Sequence, residues 1–334
     1  MACVRWGIVG CGDVTEVKSG PGLQNADAAK LVAVMRRDVQ KAADYANRHG
    51  VPRYYGQAEA LIEDDGVDAV YVATPPSSHL ELALKVAQAG KPCLVEKPMA
   101  MDHGECRQMA AAFRNSGRPL FVAYYRRALP RFLRVRELLR EGAVGELSSV
   151  HIAHYERLTR GEAANGWRFR PEVSGGGLFM DLGSHGLDLL DFLVGPIKRV
   201  WGCATNTGGT YDAEDAVAAG FEFESGIVGT GIWNFNADFS DDRMTFTGSD
   251  GELQCPVFSD TGILVRKGGA TTTEEFRNPP HVHQPLIQTV VDELLGRGTC
   301  ESTGESAART GWVMDRCLQS YYEERDQGPK DVCP

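Results

Sequence analysis

A chain of 334 residues is long for one hydrophobic core and points to two domains. With 43% hydrophobic residues and no run near the roughly 18 apolar residues of a membrane helix, the composition is globular and excludes a helical span. Thirty-five Lys and Arg against 45 Asp and Glu leave a formal charge of −10, which argues against nucleic acid as a partner, because phosphate binding needs clustered cations.

The N-terminus runs straight into a strand-like segment without a basic-then-apolar leader, so a cytoplasmic location is expected. Nine cysteines, at 3, 11, 93, 106, 203, 255, 300, 317 and 333, are odd in number and lack the close pairs of zinc or disulfide frameworks. They read as free thiols, mostly buried.

From residue 4 to about 123, apolar runs alternate with helical patterns: "VRWGIVG", "KLVAVM", "VDAVYVAT", "PCLVEK" and "PLFVAY" are separated by segments such as "DVQKAADYANRHG" and "SSHLELALKVAQAG". Strand and helix at this spacing predict a doubly wound α/β domain on a parallel sheet over 1–123. Asp38 and Ser77 stand where helix N-caps belong, and Gly50, Gly90 and Gly117 where helices end. The arginine-rich "YYRRALPRFLRVRELLRE" reads as an amphipathic helix with Phe132, Val135, Leu138 and Leu139 inward and its arginines solvated.

Past residue 145 the pattern changes, and 124–334 is expected to form a second domain carrying an antiparallel sheet. One helical segment, "GLFMDLGSHGLDLLDFLVG", precedes strand-like runs with close turns. "VAAGFEFESGIVGTGIWNF" alternates and turns near Ser225 and Gly226, and "FTGSDGELQC" carries the Asp250–Gly251 pair favoured in hairpins. Two helices finish the chain, "HQPLIQTVVDELLGRG" and "ESAARTGWVMDRCLQSYYEE".

The first strand runs into Gly10, Cys11, Gly12, Asp13, Val14 and Thr15, a turn in which two glycines allow a pyrophosphate to approach the backbone. An acid about 20 positions on normally receives the ribose hydroxyls of NAD. Here the second strand ends in Arg36 and Arg37, whose planar forks suit a 2′-phosphate, so NADP(H) is expected ahead of NAD(H), with Asp38 left to cap the helix. Thr74, Pro75 and His79 lie in the loop where parallel strands present their carboxyl ends, and His79 there serves either packing or a cofactor. Glu96 and Lys97 end the "PCLVEK" strand on the same rim, and Pro98 restricts Lys97 to extended geometry, directing it toward the cofactor cleft. In the second half, Asp181, His185 and Asp188 recur at helical spacing after three glycines. The stripe lacks the further nearby ligands a metal site needs, so no metal is assigned.

Together, "GIVGCGDV", "VAVMRRD", "VATPPSSH", "VEKPMA" and "GGGLFMDLGSHGLDLLDFLVG" resemble the Gfo/Idh/MocA family of NAD(P)-dependent oxidoreductases over nearly the whole chain. The resemblance implies Lys97 as the substrate-polarising residue, Asp181 and His185 as the substrate-binding and proton-transfer pair, and a cis peptide before Pro98. It also implies a Rossmann domain, 1–123, followed by an α/β domain, 124–334, whose open, mainly antiparallel sheet serves a homodimer or homotetramer. The departures are Thr15 in the glycine motif and the Arg36–Arg37 pair where NAD-preferring members carry an acid.

Similar proteins process sugars, keto-sugars and cyclic polyols. Tyr155, Trp167, Arg168, Asp181 and Asp188 would offer such substrates aromatic faces and hydrogen-bond partners, although "GWRFRP" reads equally well as a structural loop. The reading is therefore a hydride-transferring enzyme in which Lys97 and His185 serve one substrate oxygen. A non-catalytic dinucleotide sensor and an NAD-dependent glycoside hydrolase of the same fold are the alternatives.

Overall fold

The computed structural model describes residues 2–157 and 166–327; Cys333 lies outside them. Contacts divide the chain into two compact units, Met1–Leu129 with Asn278–Ala308, and Pro130–Arg277 with Arg309–Pro334.

In the first unit six parallel strands lie in the order β3-β2-β1-β4-β5-β6. They are β1 (Val4–Val9), β2 (Ala29–Met35), β3 (Arg53–Tyr55), β4 (Ala69–Val72), β5 (Cys93–Val95) and β6 (Leu120–Val122). This is the doubly wound order whose switch point falls between β1 and β4. Every residue of β4, β5 and β6 is buried, which is why these strands read as unbroken apolar runs. β3 and the helix Ala58–Ile62 are too short to show periodicity, and the sequence reading passed over both. The helix after β1 is broken at Lys18 into Asp13–Val17 and Ser19–Asn25. Pro21 has no N–H to donate to the carbonyl four residues back, so the ladder cannot run through.

Asp38 caps the helix Val39–His49 by accepting from Gln40 N and Lys41 N at 3.1 and 3.2 Å, and Gly50 ends it at φ 65°. Ser77 does not cap. It lies in a 3₁₀ turn, Pro76–Ser78, ahead of the helix His79–Gln88, and it is Ser78 that turns back to bond Thr74 Oγ1 at 2.8 Å and Pro75 O at 2.9 Å.

A single cut at 123/124 does not describe the first unit, because Asn278–Ala308 returns to it. The helix Gln284–Leu294 packs on Ser19–Asn25, with Asp27 N donating to Gln288 Oε1 at 2.7 Å. Ser302 extends the edge of β6, accepting from Val122 N at 3.0 Å.

The second unit holds an eight-stranded sheet in the order β14-β13-β12-β11-β7-β10-β9-β8, antiparallel except where β7 and β10 pair. The strands are β7 (Leu147–Arg157), β8 (Ile197–Thr205), β9 (Ala216–Phe223), β10 (Val228–Asn234), β11 (Asn236–Gly248), β12 (Gly251–Cys255), β13 (Ile263–Lys267) and β14 (Ala270–Glu274). Gly226, at φ 86°, turns the β9–β10 hairpin, and Phe221 and Phe223 are buried while Glu224 is exposed.

The arginine-rich segment departs from its amphipathic reading. Phe132, Val135 and Leu138 face inward, yet Arg126, Arg127 and Arg131 are buried as well. Carbonyls far along the chain draw in two of them: Arg127 Nη1 donates to Glu301 O at 3.1 Å within the first unit, and Arg131 Nη1 to Ser259 O at 2.6 Å within the second. Among the described residues no helix is long and apolar enough to cross a membrane.

Candidate active site

The carboxyl ends of β1, β2, β4 and β5 bring the expected cofactor residues of the first unit to one edge. Gly10 has φ +94°, and a Cβ built on it would lie 2.6 Å from Thr74 Cγ2, so the β1 turn and the Thr74–Pro75 loop pack too closely for a side chain. Gly10 N and Cys11 N both donate to Met35 O, at 2.9 and 3.1 Å, pinning the turn to the end of β2. The Cys11 thiol is buried and pushed up to about 11 by desolvation, which makes it a packing group. Arg36 Nη1 donates to Cys11 O at 3.2 Å, laying its guanidinium against the glycine turn, while Arg37 is exposed.

Thr15, in the third position of the glycine motif, is satisfied internally. Its hydroxyl donates to Gly12 O at 2.7 Å, and its carbonyl accepts from Tyr45 OH at 2.8 Å. Above the turn there is room: a Cβ on Gly12 would meet nothing nearer than Gly10 O at 4.0 Å. Asp13 and Val14 open the helix, where backbone amides have no intrahelical acceptor. A bare glycine turn at the switch point of a 3-2-1-4-5-6 sheet fits a dinucleotide pyrophosphate.

Glu96 and Lys97 follow β5, and the Lys97–Pro98 bond is cis. The Glu96 carboxylate is buried, receiving Tyr71 OH on Oε1 and Lys97 N on Oε2 at 3.2 Å. His283, from the returning segment, lies 3.6 Å from Glu96 Oε1 and stacks on Tyr125 with ring centroids 4.4 Å apart. Burial, reinforced by Lys18, Lys97 and Arg126, pushes its imidazole down to about 3 and keeps it neutral. Sequence reasoning missed His283; no local motif marks a histidine that meets β5 from nearly 190 positions away.

His79 is fully buried. Its Nε2 lies 2.7 Å from Thr74 O, and its Nδ1 lies 3.1 and 3.2 Å from Pro98 O and Met99 O. Burial lowers its pKa and favours the neutral ring, which has one N–H and so donates on one side only; fully buried, it is wedged between the loops after β4 and β5. Of the two roles left open for it, packing is the one the geometry supports.

In the second unit Asp181 lies in a π turn, Phe179–Gly183, that leads into the helix Ser184–Leu193. The wider turn breaks the α-helical register on which the Asp181–His185–Asp188 stripe was based, and such turns are frequent at functional sites. Asp181 Oδ2 accepts from Arg168 Nε at 3.0 Å, and the Arg168 guanidinium lies 4.6 Å over the Trp167 ring. His185 is buried, edge-on to Phe258 with centroids 5.8 Å apart. Asp188, further along the helix, is 1% exposed and accepts from Thr310 Oγ1 at 3.5 Å.

Tyr155 does not join this cluster. Alternation along β7 sends it to the sheet face opposite His154, where it stacks on Phe239 with centroids 4.9 Å apart. His154 takes the inward position instead, with its ring 4.9 Å from that of Phe258, which also touches His185. The signal that separates the two was present in the sequence: they are neighbours on one strand and cannot share a face.

Over residues 4–124 the chain matches the oxidoreductase family with an NAD-binding Rossmann fold, and over 132–254 the GFO/IDH/MocA C-terminal domain. The chain belongs to the Gfo/Idh/MocA family and is an NAD(P)-dependent oxidoreductase. It is 38% identical to Oxidoreductase P35 of Formosa agariphila, covering 93% of this chain and 97% of that one. It is 27% identical to the 1,5-anhydro-D-fructose reductase of Ensifer adhaerens, covering 90% and 91%. The fold is shared with the aldose-aldose oxidoreductase of Caulobacter crescentus solved with glycerol, at TM-score 0.85 and 24% identity over 97% of this chain and 98% of that one.

Proposed function

We propose that the protein is an NADPH-linked reductase of a keto-sugar, anhydro-sugar or related cyclic polyol. When bound, NADPH would supply the hydride for carbonyl reduction, and NADP⁺ would accept it in the reverse direction. Gly10, Cys11, Gly12, Asp13 and Val14 receive the pyrophosphate, Thr74, Pro75 and Glu96 line the same edge, and Arg36 with Arg37 takes the 2′-phosphate. The carrying observation is that the Arg36 guanidinium lies on the Cys11 carbonyl while Asp38, the nearest acid, is committed to capping its helix. Fluorescence titration should give a Kd for NADPH well below that for NADH, and Arg36→Ala should remove most of the difference. Equal preference before and after the substitution would defeat the NADPH assignment.

In this reading Lys97 stabilises negative charge growing on the substrate oxygen, and His185 delivers the proton there or removes it in reverse. Asp181, held by Arg168 beside Trp167, orients substrate hydroxyls. The anhydro-sugar and aldose activities named for two similar proteins support the substrate class. Lys97→Met and His185→Ala should each lower kcat on the order of 10²-fold or more. Activity at the parent rate in both variants would end this mechanism. A cytoplasmic homo-oligomer completes the reading.

A further inference from the structure

The glycines ahead of Asp181 are packed against a carboxyl group that no part of the proposed chemistry uses. Glu214 is 0% exposed. Its Oε1 accepts from Gly177 N at 2.8 Å, and its Oε2 accepts from Tyr322 OH, on the C-terminal helix, at 2.7 Å. The fit extends beyond these two bonds. A Cβ on Gly177 would lie 2.5 Å from Glu214 O, and one on Gly176 would lie 3.2 Å from Glu214 Oε1. Tyr211 OH donates to Glu214 O at 3.1 Å, fixing the residue's backbone as well.

The chain passes without slack from this grip to the site. Gly177 O accepts from Met180 N at 3.1 Å, which starts the turn, and Asp181 follows in the π turn that continues to Gly183. Ser184 N closes that turn on Phe179 O, and His185 comes next. A shift of Gly177 is therefore passed to Asp181 and His185 through consecutive hydrogen-bonded turns.

We infer that Glu214 is a positioning residue for the Asp181–His185 turn, its carboxyl clamped between the Gly177 amide and the Tyr322 hydroxyl so that the two acting side chains start from one fixed point. The inference rests on the roles assigned above to Asp181 and His185. Misplacement of reacting groups by about 1 Å can cost on the order of 10²-fold in rate, so loss of the clamp should appear in turnover.

The experiment compares Glu214→Ala, Glu214→Gln, His185→Ala and the Glu214→Ala/His185→Ala double variant. It measures kcat and KM with 1,5-anhydro-D-fructose as the probe substrate, and the Kd for NADPH by nucleotide fluorescence. Glu214→Ala should lower kcat about tenfold or more, with the NADPH Kd unchanged within about twofold. Glu214→Gln, whose amide oxygen still accepts from Gly177 N, should restore most of the loss. In the double variant the two losses should not multiply, because Glu214 acts only through the turn that carries His185.

A Glu214→Ala enzyme with the parent kcat and KM, or losses that multiply in the double variant, would overturn the inference. If Glu214→Ala fails to bind nucleotide or to melt cooperatively, Tyr322→Phe, which removes one of the two donors, takes its place under the same criteria. Failure of the underlying reading is separately visible: His185→Ala alone would then turn over at the parent rate.

Discussion

Gly10 shows how one residue constrains the nucleotide edge twice. Its φ of +94° disfavours any L side chain, and the space a Cβ needs is held by Thr74 Cγ2. Gly10→Ala must therefore push the β1 turn from the loop after β4, and a nucleotide Kd at least tenfold weaker by titration is the expected outcome, with the far-ultraviolet spectrum retained. Glu214 carries a different kind of constraint. Burial pushes its carboxyl from 4.5 up to about 7, Asp215 pushes the same way, and the Tyr322 and Gly177 donors only partly oppose them. A carboxyl raised in the folded state favours folding below its unfolded pKa, and that contribution is lost as pH rises from about 4.5 through about 7. Relative to Glu214→Gln, the parent protein should lose roughly 3 kcal/mol of stability across that window, read by urea unfolding at pH 5 and pH 8. Neither effect could be read from the residues alone. A glycine motif announces Gly10, but only the folded chain brings Thr74 against it or buries Glu214.

Elements were legible where burial follows a period and obscure where it follows a distant partner. The alternation of β9 and the unbroken apolar β4 and β5 declare themselves because a sheet buries one face or both. The helix Pro130–Arg140 declares its apolar stripe and conceals its cation: periodicity counts apolar side chains and cannot see that Ser259, 128 positions on, turns a carbonyl toward Arg131. Because Arg131 is 2% exposed, Arg131→Ala removes buried stem packing and leaves that carbonyl without its donor. A loss of about 2–4 kcal/mol in urea unfolding is expected. The candidate residues of each unit were legible to a similar degree. Lys97, Asp181 and His185 stand in motifs that can be read in order, whereas His154 and His283 enter from a strand and a loop that carry no motif.

At the scale of the molecule, the sheet of the second unit exposes large apolar side chains among its strands: Trp201 on β8, Val228 on β10 and Phe239 on β11 are each more than half exposed. If the proposed homo-oligomer assembles through this face, Trp201→Glu should lower the mass found by light scattering toward 36.4 kDa, the mass of one chain, without loss of nucleotide binding. An unchanged mass would place the assembly elsewhere or remove it.

The return of Asn278–Ala308 to the first unit also sets the order in which the protein can be made. A nascent chain extended to Leu129 has all six strands of the first sheet, but Ser302 and the helix that covers Ser19–Asn25 have yet to be translated. The nucleotide-binding half therefore waits, with apolar surface open, until residues 278–308 have been added, although its six strands are made before the whole of the second sheet. Expressed by itself, a 1–129 fragment should need the 278–308 peptide added in trans before it melts cooperatively.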